Sequence, residues 1–169
     1  MTASLREELN KQRPFDSLEQ EVYLNLARTR SVLEEHTMRV LKQHRLTESS
    51  YNVLRILRGW KLRADLRDTE AREHGGRTCT EIAADMVVRA ADITRLIDRL
   101  ERMHLVRRER DPHDGRAVLV FLTQQGEDVL SELDPPVHNA HRAQLGHLDH
   151  EELRTLNELL TRARKTSIA

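Results

Sequence analysis

The stretch DPHDGRAVLVFLT, Asp111–Thr123, decides how this chain is read. It opens on the turn formers Asp111-Pro112 and Asp114-Gly115 and closes on an apolar run and a threonine. LVRRER, Leu105–Arg110, lies just before it and also has strand composition. Two such runs joined by Asp-Pro and Asp-Gly turn chemistry predict a β-hairpin. A charged tip in front of so apolar a strand suits a hairpin that packs on helices and projects residues 111–116 into solvent. That is a wing.

The helices it needs lie upstream. In AADITRLIDRLERM, Ala90–Met103, the residues Ile93, Leu96, Ile97 and Leu100 fall at i, i+3, i+4 and i+7, an amphipathic helix. Asp92, Arg95, Asp98, Arg99 and Arg102 lie off that stripe. TCTE, Thr78–Glu81, has capping-box spacing and opens a helix through EIAADM. A break at Val87-Val88-Arg89 separates the two, so a helix-turn-helix is expected.

Further upstream, LTESSYNVLRILRGW, Leu46–Trp60, predicts a helix capped by Thr47 that buries Val53, Leu54, Ile56 and Leu57. Lys61–Thr78 is highly charged and carries Gly75-Gly76, so it reads as an inserted, solvated loop with at most a helical turn. SLEQ, Ser17–Gln20, has capping-box spacing and starts a helix running to about Gln43. In it Leu26, Leu33 and Val40 recur every seven residues, with Leu18 and Val22 near the same stripe. A narrow stripe on a long helix is the pattern of a pairing helix. Residues 1–16 form a polar arm.

Downstream, QQGEDVLSEL begins a helix after Thr123. Pro135-Pro136 should kink it or make it restart near Asp134, because proline removes a donor and clashes with the preceding turn. DHEE, with Asp149 as cap and Glu152 three residues on, opens a last helix with Leu153, Leu156, Leu159 and Leu160 along one face.

Composition agrees with this order of elements. The chain has 169 residues, 3% aromatic and 33% charged, enough for one domain with extensions. So few large side chains suit a helical protein that shares its core with a partner chain. Formal net charge is zero, so bulk electrostatics announces no partner. Cys79 is the single cysteine, which excludes an intrachain disulfide and points to a reducing compartment. MTASLREELNKQRPFD lacks an apolar signal core, and no run approaches the ~20 apolar residues of a membrane span, so a cytoplasmic protein is expected. There is no nucleophile elbow, phosphate-binding glycine loop or H-E-x-x-H, which argues against an enzyme and calls for no cofactor.

The segments LTESSYNVLRIL and TEIAADMVVRAADITRLIDRLERMHLVRRERDPHDGRAVLVFLTQQG, with the terminal helices, resemble the MarR family of bacterial winged helix-turn-helix transcription regulators. The resemblance covers nearly the whole chain from about Asp16. It implies a mainly α fold with a small β-hairpin wing. Residues 1–169 would be a single MarR-type domain, with 46–123 as the winged helix-turn-helix and 17–45 and 124–169 as dimerisation helices. It also implies a homodimeric repressor that binds a palindromic operator in double-stranded DNA. A small aromatic acid effector would bind between the dimer region and the reading head, with His36, Tyr51 and Trp60 as candidate lining residues. Two departures stand out. The family's wing commonly carries basic residues in a D-x-R-D-R-R-like pattern, whereas here His113 and Gly115 occupy two of those positions and Arg116 alone remains. That weakens minor-groove insertion or makes it pH-sensitive through His113. The 61–78 connector is also longer than usual.

Duplex recognition needs cations against phosphates and side chains at base edges. From Arg89 through Arg116, eight arginines face six acids, a modest excess that folding must concentrate. Arg89 and Asp92 at the start of the second helix of the motif, with Thr94, Arg95 and Arg99, are candidate groove contacts. Arg116 and His113 are candidate wing contacts. Surface ion pairing with Asp92, Asp98 or Glu101 is the competing role for each arginine. Nine histidines raise metal sensing, with His138 and His141, and His147 and His150, at i and i+3. No acid or cysteine cluster completes such a site, and no metal ligand is assigned. Cys79, at a predicted helix N-terminus, is a redox candidate, although a small buried hydrophobe is the stronger reading. A winged helix used against a protein surface is the rival from another class.

Overall fold

The computed structural model describes residues 4–66, 75–88, 90–112 and 114–165, with backbone alone at 65 and 66. In chain order the elements are α1 (Leu5–Glu8), α2 (Leu18–Gln43), α3 (Glu48–Leu66), α4 (Cys79–Asp85) and α5 (Ile93–Arg102). The hairpin β1 (Val106–Arg110) and β2 (Val118–Leu122) follows, then α6 (Gln124–Leu145) and α7 (His150–Ala163). The fold is mainly helical with one antiparallel hairpin, as expected. The chain forms two compact units, Glu35–Val137 and a second made of the residues up to Glu34 with those from His138 on.

The Glu35–Val137 unit holds the core. Leu41, Val53, Leu54, Ile82, Ile97, Leu100, Val120, Leu130 and Leu133 are fully excluded from solvent there. They come from the apolar stripes of five helices and from the inner face of the hairpin, so the unit is built by burying those stripes together. Ile56 packs only at the margin of this core. Thr47 caps α3, its hydroxyl oxygen accepting from the Ser50 amide at 3.1 Å.

Several elements depart from expectation. α3 does not stop at Trp60 but continues to Leu66, so the first residues of the supposed loop are helical. KLRADL contains neither glycine nor proline. Ala64 is buried on this extension, and Lys61 Nζ reaches Glu127 Oε2 at 3.5 Å. Residues 67–74 of that segment lie outside the described residues. α6 runs unbroken through Pro135-Pro136 instead of restarting. The missing amides cost the carbonyls of Ser131 and Glu132 their usual partners. Packing overrides that loss: Leu130, Leu133 and Val137 are all buried. Asp134 is also gripped by Arg58, whose Nη1 and Nη2 donate to its two carboxylate oxygens at 2.7 and 2.8 Å.

α5 begins at Ile93 rather than Ala90, because the Asp92 carboxylate caps it. At α2, Ser17 Oγ accepts from the Gln20 amide at 3.2 Å, but Gln20 returns its side-chain oxygen to the amide of Asp16 rather than to Ser17. The N-terminal arm is not wholly irregular: Ser4 and Glu7 form a complete capping box on α1.

In the other unit, α7 is capped by Asp149, whose Oδ1 accepts from the amides of Glu151 and Glu152 at 2.8 and 2.9 Å. Gln144 Nε2 donates to the Leu33 carbonyl at 2.8 Å. Among the described residues of this unit Leu5 is the only buried apolar side chain. Leu18, Val22, Tyr23, Leu26 and Val32 of α2 and Leu156 and Leu159 of α7 are exposed. None of the described helices is long and apolar enough to cross a membrane.

Candidate nucleic-acid interface

Two helices and a hairpin make the site, and each is held by identifiable contacts. α4 starts with a full capping box: Glu81 Oε2 accepts from the Thr78 amide at 2.8 Å while Thr78 Oγ1 accepts from the Glu81 amide at 3.3 Å. Ile82 on α4 and Ile97 on α5 are fully buried, so the two helices meet through their apolar stripes. The turn between them is pinned to α3 beside it, where Asn52 Oδ1 accepts from the Val87 amide at 2.9 Å. Just before the turn, Asp85 Oδ2 accepts from Trp60 Nε1 at 2.8 Å.

The wing is a five-residue antiparallel ladder with Val106 opposite Leu122 and Arg110 opposite Val118. Arg77 adds one bridge to its outer edge, exchanging both backbone hydrogen bonds with Val120 at 3.0 and 2.8 Å. At the tip the Asp111 amide donates to the Ala117 carbonyl at 3.0 Å, and Asp114 Oδ1 accepts from the Arg116 amide at 3.0 Å. The motif TQQG after β2 joins wing to helix. Thr123 Oγ1 donates to the His104 carbonyl at 2.7 Å and accepts from the Gly126 amide at 3.0 Å, capping α6. Gly126 is required there: a Cβ would sit 2.3 Å from the Leu105 carbonyl oxygen.

Arg108 locks the wing to α5. Its Nη2 donates to Asp98 Oδ1 and its Nη1 to Glu101 Oε2, both at 2.6 Å. Burial works against the charged guanidinium, but the bonds to Asp98 and Glu101 outweigh it and hold Arg108 charged more firmly than usual. Sequence reasoning missed this residue. Its signal was present, since the alternation of β1 turns Arg108 toward α5 and Arg107 away from it.

The residues singled out from sequence are distributed as follows. Asp92 is the N-cap of α5: its Oδ1 accepts from the Arg95 amide and its Oδ2 pairs with Arg95 Nε, both at 3.0 Å. Arg95 is nevertheless 87% exposed. Thr94 is exposed beside it. Arg99 is exposed but sends Nη2 to the Arg45 carbonyl at 2.7 Å, tying α5 to the end of α2. Arg116 is exposed at the wing. Arg89 and His113 lie outside the described residues. The modest arginine excess is therefore sorted by the fold. Arg95, Arg107 and Arg108 sit against Asp92, Glu109, and Asp98 with Glu101. Arg99, Arg102, Arg110 and Arg116 stand on the surface of α5 and the wing.

Of the three candidate lining residues, Tyr51 and Trp60 each have partners of their own. His36 is exposed on α2. Tyr51 is only 8% exposed, a core residue whose hydroxyl accepts from Arg55 Nη1 at 3.0 Å. Trp60 stands about 14 Å further along α3 at the helical rise. Besides its bond to Asp85, its ring carries the Arg77 guanidinium 3.6 Å from the centroid. Cys79 is partly buried against the core as the first residue of α4. No three His, Cys, Asp or Glu side chains converge in a metal-binding arrangement among the described residues.

A capped helix-turn-helix backed by a wing and presenting exposed cations from both defines a winged helix-turn-helix transcription regulator, a DNA-binding class rather than an enzyme. The comparisons agree. Residues 69–118 match the model of the MarR family. The helix-turn-helix-type transcriptional regulator YkoM of Bacillus subtilis is 28% identical over 68% of this chain, and the match spans 65% of YkoM's length. The MarR transcription factor of Planctomyces limnophilus is 39% identical, with a TM-score of 0.61 over 88% of this chain and 98% of that one. BpsR of Bordetella bronchiseptica shares the fold at 21% identity, with a TM-score of 0.73 over 92% of this chain and 100% of that one. This chain belongs to the MarR family.

Proposed function

We propose that the protein is a ligand-responsive repressor that binds a palindromic operator as a homodimer. Its partner is duplex DNA, so the reading places it in the cytoplasm. The observation that carries the dimer is the uncovered apolar face of the second unit. Tyr23 is 72% exposed, Leu18 71%, Val32 53% and Leu159 52%, while among the described residues of that unit almost nothing is buried. Apolar surface of this extent on α2 and α7 is what a second copy of the same helices would cover. A two-fold dimer carries two reading heads, and two-fold heads call for a two-fold operator.

Within each head, Arg95 and Thr94 are the proposed groove residues, with Asp92 acting on Arg95 and with Arg99 and Arg89 as further candidates. Arg116 and His113 are the proposed wing contacts. The proposed effector is a small aromatic acid. Support comes from BpsR, whose DNA binding is regulated by 6-hydroxynicotinic acid. Linkage sets the sign: an effector that loosens DNA must itself bind the DNA complex more weakly by the same factor.

The test combines sedimentation with DNA titration. A dimer at micromolar concentration should bind a palindromic duplex from beside its own gene, with affinity falling steeply as salt rises. A monomer under those conditions, or equal binding to any duplex at every salt, would defeat the proposal. Release of that duplex by aromatic acids tests the effector, and failure of every such acid to release it removes that part of the reading.

A further inference from the structure

We infer that Asp92 and Arg95 act as one base-reading unit in which Asp92 orients the arginine so that it selects guanine. The inference rests on the DNA-reading function proposed above for α5. One carboxylate does two jobs here. Asp92 Oδ1 accepts from the Arg95 amide at 3.0 Å and so caps the helix, while Oδ2 forms an ion pair with the Arg95 guanidinium, 3.0 Å from Nε. A guanidinium offers one edge made by Nε with a terminal nitrogen and another made by the two terminal nitrogens. With the Asp92 carboxylate against the Nε side of the guanidinium, the edge left clear is the pair Nη1 and Nη2. The side chain is 87% exposed, so this edge points into solvent from the first turn of the recognition helix.

Two parallel N–H donors in that plane match O6 and N7 of guanine, the pair of acceptors that guanine alone presents in the major groove. A phosphate is the weaker match. The Asp92–Arg95 pair has no net charge, so it attracts a polyanion little and brings a carboxylate close to it. What the pair supplies is geometry, and geometry is what base reading requires. Restricting the arginine before binding also lowers the entropy lost when it docks.

The neighbouring cations contrast with it. Arg99 gives Nη2 to the Arg45 carbonyl, and Arg108 is committed to Asp98 and Glu101. On α5 Arg95 is the arginine whose acid partner leaves the terminal fork outward. Asp92 is thus a positioning residue that acts through Arg95 rather than by touching a base.

The variant that separates the two jobs is Asp92→Asn. Asparagine caps a helix about as well as aspartate, so the fold is retained, but the charged partner of Nε is lost. The full-length protein and its Asp92→Asn, Arg95→Ala and double variants are each used to select from a library of randomised duplexes. Base preference is read at every position, with thermal midpoints measured in parallel. The wild type should select guanine at one position of each half-site. Asp92→Asn should keep its midpoint and, having lost a negative charge, bind random DNA somewhat more tightly, yet reduce the preference at that position about tenfold. Arg95→Ala should abolish the preference, and the double variant should match Arg95→Ala at that position.

An unchanged guanine preference in Asp92→Asn overturns the inference, as does a loss spread evenly over all positions. A wild-type selection to which Arg95→Ala is indifferent overturns it while leaving the regulator reading intact. A wild type that enriches no duplex overturns both.

Discussion

The Arg58–Asp134 pair is the interaction whose removal has the most calculable effect. Arg58 is 15% exposed and Asp134 43%, so the pair lies between a buried and a surface ion pair. Surface pairs contribute about 0.2–1 kcal/mol, whereas breaking a buried pair costs about 3–5 kcal/mol because it strands a charge. Asp134→Asn leaves the mostly buried guanidinium without its carboxylate but keeps one hydrogen-bond acceptor. About 2 kcal/mol is the expected loss at pH 7, or roughly 4–8 °C in the midpoint of a chain this long. The pair ties α3 to α6 directly before Pro135-Pro136, where the helix is short of two backbone hydrogen bonds.

The pH dependence has a definite sign. The hydrogen bonds from Arg58 hold the Asp134 carboxyl below its ordinary value, against the opposing effect of burial. A carboxyl depressed in the folded state contributes stability that is complete above its unfolded value of about 3.9 and is lost as pH falls through the lower folded value. The difference between wild type and Asp134→Asn should therefore be full at pH 6–7 and shrink below about pH 4. The assay is chemical denaturation at fixed protein concentration, because the stability of the proposed dimer would depend on it. The cycle is closed with Arg58→Met and the double variant. A coupling energy under about 0.5 kcal/mol at pH 7 would refute the reasoning, as would a difference that grows on acidification.

Gly126→Ala should destabilise the protein by about 1–3 kcal/mol, because the new Cβ meets the Leu105 backbone oxygen, which no side-chain rotation relieves; an unchanged denaturation midpoint would contradict it. His104 sits at φ 58° just after α5, a left-handed position that suits glycine. His104→Gly should be neutral to about 1 kcal/mol stabilising once glycine's extra unfolded-state entropy is counted, and a fall of several degrees in the midpoint would count against the strain. Arg116→Ala at the wing should weaken binding to all duplexes alike and reduce the salt slope by about one unit, whereas a change in sequence preference would move Arg116 from phosphate to base.

Local sequence determined most of the elements. The hairpin was legible because Asp-Pro and Asp-Gly stand between two strand-forming runs. α4 was legible because Thr78 and Glu81 have the spacing of two reciprocal caps, and both bonds are present. These signals act within a few residues, so no tertiary information is needed to read them. Where tertiary packing competed with a local rule, packing decided. Pro135-Pro136 is a local breaker, but the buried Leu133 and Val137 and the Arg58 fork, 76 residues away in sequence, hold α6 helical through it. α3 passes Trp60 for the same kind of reason, through Ala64 and the Lys61–Glu127 contact.

The site was legible as a set of arginines and illegible as an arrangement. Composition counts eight cations against six acids but cannot say which are matched. Only the folded chain sets Arg108 between Asp98 and Glu101, ties Arg99 to the Arg45 carbonyl, and leaves Arg95 restrained yet outward. The reason is physical: a helical period determines which face a residue occupies, whereas the partner it meets there comes from another element whose approach is set by the burial of apolar stripes.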